Sequence, residues 1–118
     1  MNDSHQNSDI EKTSQEETKL IEKIVSLKAA DLILDMIKQN QVNKDDEIVF
    51  LEKFFDINQQ NIKRDVKVET ISLWLVKHGY GTAADQFKTR LTEFIKQELE
   101  PLVNRPLSIE QFTGLPDD

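Results

Sequence analysis

From Thr18 to about Asn40, apolar residues recur at steps of three and four: Ile21, Val25, Ala29, Leu32, Ile33 and Met36 fall on one side of a helix. Leu20, Ile24, Leu27 and Leu34 widen that stripe. A helix apolar over so much of its circumference needs cover from more than one direction. Ser26 is a candidate break that would divide it into two shorter helices. The polar stretch Gln39 to Asn43 ends the pattern, and Asn43 can cap the next helix by accepting from its free amides. Asp45, Asp46 and Glu47 then lie where the helix dipole favours negative charge. This second helix, about Lys44 to Ile57, carries Ile48, Val49, Phe50, Leu51, Phe54 and Phe55, again broader than a single stripe.

Asn58-Gln59-Gln60-Asn61 reads as a loop, with Asn58 ending the helix before it. A third helix, about Asp65 to His78, places Ile71, Trp74 and Leu75 on one face and stops at Gly79, which can adopt the left-handed conformation that closes a helix. The fourth starts near Thr82, with Asp85 in a position resembling a capping box, and continues through Ala84, Phe87, Leu91 and Phe94 to Ile95 and Leu99. Pro101 is expected to end it, since proline has no amide to donate and disfavours helix in the residue before it. The alternation Val66-Lys67-Val68 is too brief to build a sheet, so the expected class is all-α: a four- to five-helix bundle over residues 18–100.

Composition changes the picture at the two ends. Apolar residues make up 37% of the 118 and charged residues 31%, and the apolar deficit lies in residues 1–17, where only Met1 and Ile10 are apolar. Such a segment buries too little surface to offset its ordering entropy, which predicts a disordered leader. Its five carboxylates against Lys12 give −4, residues 101–118 carry −2, and the total of −7 leaves about −1 for the helical body. Residues 101–118 form a tail with Val103, Leu107, Ile109, Phe112 and Leu115, expected to fold back over the bundle or to serve as a peptide for a partner.

The acidic balance argues against holding nucleic acid by phosphate neutralisation. A DNA-reading helix-turn-helix is a lesser alternative, because the fourth helix offers Gln86, Lys88, Thr89 and Arg90; Asp85 and Glu93 flank them, and Lys63, Arg64 and Lys67 are the only basic cluster nearby. With no cysteine there is no thiolate chemistry, and His5 and His78 have no second ligand at metal spacing, so neither metal nor cofactor is expected. Asp45-Asp46-Glu47 reads as a helix start rather than a cation site, and Gly79-Tyr80-Gly81 is too short to cradle phosphate in a chain with three glycines. No apolar run is long enough to span a membrane and no secretory pattern opens the chain, so the expected setting is cytoplasmic. The reading is of a protein that is not an enzyme and works by contacting other chains.

The segment from Ile71 to Phe87 has an apolar residue, then Trp74–Leu75, Gly79–Tyr80, the small pair Ala83–Ala84 and Phe87. That spacing resembles the LisH (lissencephaly homology) motif, a helix-turn-helix that dimerises; Ala83 departs from it, since Thr or Ser is usual there and a side-chain cap is lost. The resemblance covers residues 71–91. It implies a homodimer whose interface is built by Ile71, Trp74, Leu75, Tyr80, Ala84, Phe87 and Leu91, and a eukaryotic scaffold, cytoskeletal or ubiquitin-ligase setting. The same residues could instead form the core of a monomer covered by the upstream helices. A small acidic regulator of a bacterium or phage, such as a secretion chaperone, antitoxin or inhibitor, fits the composition as well.

Overall fold

The computed structural model describes the backbone of residues 3–56 and 61–115, and side chains from residue 15 onward within those ranges. The expected loop start at Asn58 therefore lies outside the described residues. Four helices of ten residues or more make up most of the fold: α1 (Asp3–Lys38), α2 (Lys44–Phe54), α3 (Val68–Lys77) and α4 (Gly81–Phe94). A π-helical turn, Ile95–Leu99, carries α4 into α5 (Glu100–Val103), and α6 (Glu110–Thr113) closes the tail. The fold is mostly helical, as the periodicity predicts.

In α1 the stripe Ile21, Val25, Ala29, Leu32, Ile33 and Met36 is buried, joined by Ala30. The helix runs through Ser26 without a break and begins at Asp3, where the sequence predicts a disordered leader. Glu, Gln and Lys are good helix formers, so once residues 21–36 are anchored by packing, the polar run can prolong the helix. Residues 15–20 are all exposed, and Glu17 meets Arg105 at 3.2 Å across half-exposed side chains.

Expectation and structure part company at two further places. A short antiparallel ladder, β1 (Phe55–Asp56) with β2 (Asn61–Ile62), pairs Phe55 with Ile62 and Asp56 with Asn61. Two residues per strand produce no readable alternation, yet the pairing buries both Phe55 and Ile62 and ends α2 at Phe54. Pro101, secondly, does not stop the fourth helical run. In the π turn the Glu100 N–H reaches back five residues to the Ile95 carbonyl, and Pro101 then sits in the first turn of α5, where its missing amide is not needed. The turn also keeps the seam straight. Phe87, Leu91, Ile95 and Leu99 are four apart and all buried; in an ordinary helix such a row drifts by about 40° per step, and the wider turn reverses the drift.

The tail lies on the bundle. Leu107, Ile109, Phe112 and Thr113 are buried, α6 packs on α3, and the Leu107 N–H donates to a Glu100 carboxylate oxygen at 2.8 Å. The buried hydroxyls of Ser72 and Thr113 each donate to the carbonyl four residues back, at 3.3 and 3.1 Å, so their burial leaves no unmet donor.

Candidate interaction surface

The α3–α4 hairpin is closed by its glycine. Gly79 has φ +84°, its N–H donates to Val76, and the Tyr80 N–H donates to the Leu75 carbonyl at 2.8 Å, so two carbonyls at the end of α3 find donors. The helix that follows begins one residue earlier than expected: Tyr80 is its N-cap residue, the Ala84 N–H donates to the Tyr80 carbonyl at 2.9 Å, and Thr82 and Asp85 make no capping box. Ala84 has no exposed surface, which lets the two helices approach.

Inside the hairpin, Ile71 and Leu75 from α3 lie in the same core as Ala84, Phe87 and Leu91 from α4, all essentially without exposure. Trp74 is 7% exposed and packs edge-on against Phe50 and Phe54 of α2, with ring centroids 5.1 and 6.2 Å away. On its other side it stacks on His78 at 3.9 Å. The His78 ring is oriented by Nδ1, which lies 2.9 Å from the Trp74 carbonyl; a carbonyl can only accept, so Nδ1 carries the proton. Six of the seven residues expected at a dimer interface, Ile71, Trp74, Leu75, Ala84, Phe87 and Leu91, are thus buried within a single chain. α1 and α2 supply the cover.

The seventh, Tyr80, is half-buried and joins the hairpin to α2. Its hydroxyl accepts from the Asn43 backbone N–H at 3.2 Å and donates to Asp46. Asn43 makes no side-chain cap of its own, so the tyrosine serves the start of α2 from outside the helix. The bond to Asp46, then burial, raises the Tyr80 pKa above its ordinary value of 10.0, because both favour the neutral phenol. A raised folded pKa means the stabilisation is complete below pH 10 and is lost as pH climbs through the higher folded value. Tyr80→Phe is expected to lower stability by about 1–2 kcal/mol in urea unfolding near neutral pH. Since the chain has one tyrosine, the gap between wild type and variant should shrink only at strongly alkaline pH.

What the hairpin leaves in water is its outer side. Leu73 is 45% and Val76 48% exposed, one turn apart on α3, and on α2 Ile48 and Val49 are 61% and 53% exposed. The sequence signal for these was present: they lie off the stripes that carry Ile71, Trp74 and Leu75 or Phe50 and Phe54, and an all-round apolar helix shows some of its apolar surface.

The other candidates fall on helix surfaces. Of the candidate DNA-contacting residues, Gln86, Thr89 and Arg90 are exposed and Lys88 is half-buried, and Arg90 is paired with Asp35 at 2.7 Å. Asp45, Asp46 and Glu47 form the first turn of α2. Among the described residues no group of three His, Asp or Glu side chains is placed to hold a metal ion, and no helix is long and apolar enough to cross a membrane. No family model matches the chain, and comparison with curated proteins and with solved structures finds no match. The LisH likeness rests on the residues quoted for it.

Proposed function

We propose that the protein is a non-enzymatic cytoplasmic interaction module that self-associates through the outer face of the α3–α4 hairpin. The observation that carries this reading is the pair Leu73 and Val76, each nearly half exposed on a helix whose opposite face is fully used in the core. Covering apolar surface is worth about 25 cal/mol per Å². Two such faces related by a twofold axis would cover one another, the commonest symmetry of homo-oligomers. The LisH likeness supports the same hairpin as the contact element, with the contact moved from its inner to its outer side.

Sedimentation velocity over a concentration series tests it. The wild type should gain mass with concentration, and Leu73→Glu with Val76→Glu should remain folded by circular dichroism while losing that gain. A wild type that stays monomeric at about 0.5 mM, where even a weak contact with a Kd near 1 mM is partly populated, overturns self-association.

A further inference from the structure

A second outward face, separate from the hairpin, runs along α1. Leu20, Leu27 and Leu34 are seven apart, so they stay within about 40° of one another around the helix, on the side opposite Val25, Ala29 and Met36. Leu20 is 58% and Leu27 45% exposed, and Leu34 is half-buried. Elsewhere around its circumference α1 is tied to the fold: Lys28 lies over the Phe94 ring at 5.3 Å, Arg90 binds Asp35 at 2.7 Å, and β2 packs against the helix as well. These contacts leave Leu20 and Leu27 half in water.

Charged residues flank this row in a particular order. Glu16 and Lys23 stand eleven and four residues before Leu27, Asp31 and Lys38 four and eleven residues after it, and all four are exposed. Among the described residues none of the four makes an ion pair, whereas Glu17 is taken by Arg105 and Asp35 by Arg90. From either end the row has the same spacing with the signs exchanged: minus, plus, leucine, minus, plus becomes plus, minus, leucine, plus, minus. A strip with that antisymmetry is complementary to itself turned end for end.

We propose that the outer face of α1 between Glu16 and Lys38 pairs antiparallel with the same face of a second copy of this chain, about a twofold axis at Leu27. That alignment sets Leu27 on Leu27 of the other copy, Leu20 on its Leu34, Lys23 beside its Asp31 and Glu16 beside its Lys38, and symmetry makes each of the last three contacts twice. The contact is about 33 Å long at 1.5 Å per residue. Laid parallel and in register, the two helices would instead bring each of the four charges level with its own counterpart and set Glu16 beside Glu17 of the other copy. The α1 contact goes beyond the hairpin reading and does not depend on it.

The chain has no cysteine, so an introduced thiol reports its own position in the full-length protein. Where two packed helices lie about 8–10 Å apart, facing Cα atoms are roughly 5 Å from each other, within reach of a disulfide. With a mild thiol oxidant in about 20 mM salt, Leu27→Cys should link into a covalent dimer at least about tenfold faster than the more exposed Leu102→Cys, because the paired helices hold the two thiols together. Leu20→Cys alone and Leu34→Cys alone, each about 21 Å from its counterpart, should stay unlinked, while an equal mixture of the two should link. Lys23→Glu should slow the linking of Leu27→Cys by at least about fivefold with an unchanged circular dichroism spectrum, and Asp31→Lys added in the same chain should restore it. Leu27→Cys no faster than Leu102→Cys, an unlinked mixture, Leu20→Cys linking to itself, or a double reversal that restores nothing overturns the proposal. The hairpin contact is read apart from this one, by the gain in mass at about 500 mM salt, where the α1 charges are screened. Linking of Leu27→Cys that survives Leu73→Glu with Val76→Glu stands without the hairpin, and linking lost with those two changes overturns a separate α1 contact. If linking fails while the same two changes still remove the gain in mass, the hairpin contact stands and the α1 contact falls.

Discussion

Trp74→Glu is expected to unfold the chain at every protein concentration, with loss of helical circular dichroism that neither concentrating nor diluting the sample reverses. The indole is 7% exposed and is enclosed by Phe50 and Phe54 on one side and His78 on the other. Losing its packing alone is worth about 3–5 kcal/mol, the range for truncating a large buried aromatic. A carboxylate placed there adds the cost of an unpaired charge in an apolar site, several kcal/mol further. The rings around it are Phe50, Phe54, the Tyr80 phenol, whose hydroxyl is already engaged by Asn43 and Asp46, and an imidazole whose protonated Nδ1 is already committed to the Trp74 carbonyl. Together these effects reach the whole stability of a domain of this size, about 5–15 kcal/mol. An indole belonging to an interface between two copies would give the opposite result, a folded monomer, and that outcome would remove the packing of α2 on the hairpin as described.

The same residue shows how far the sequence could be read. The helical periods of α1 and α4 translate directly into buried stripes, because a local repeat of three and four is set by backbone geometry and needs no knowledge of the partner surface. Gly79 was legible for a similar reason: few residues other than glycine close a helix at φ +84°. The identity of the cover over Trp74 was not legible. Both α2 and a second chain could have supplied it, and the choice depends on whether Phe50 and Phe54 reach the indole in the folded chain, a tertiary fact carried by the α1–α2 turn and the β1–β2 pairing. That pairing involves Phe55, Asp56, Asn61 and Ile62 and is too short to leave a period.

The expected stop at Pro101 fails for another reason: it followed from local preference taken alone, whereas a π turn can carry a proline past the point where an ordinary helix would break. Asn43 and Thr82 illustrate the same limit for caps. Neither makes its expected bond, while Tyr80, read as an interface residue, acts on the start of α2 from 37 positions away. Its long-range hydroxyl contact leaves no trace in local spacing.

Phe87→Ala is expected to cost about 3–5 kcal/mol, close to the limit of what the fold tolerates, while leaving a chain that still folds at low temperature or in a stabilising co-solvent. Phe87 has no exposed surface and stands on α4 in the row with Ala84, Leu91 and Ile95, in the same core as Ile71 and Leu75. The ring is the largest side chain of that row and is fully enclosed, so truncation opens a cavity that neighbouring side chains close only in part. The cost of such cavities grows by about 24 cal/mol per Å³ of space left empty, which sets this site apart from Tyr80, where only hydrogen bonds are lost. Urea unfolding followed by circular dichroism should show the midpoint fall with the slope unchanged, because the surface exposed on unfolding is nearly the same. A loss under about 1 kcal/mol would mean that the ring is not a packed part of the core. Phe87→Leu separates the two components: it restores much of the volume without the aromatic ring, and should recover more than half of the loss if packing, rather than any contact between copies, is what Phe87 supplies.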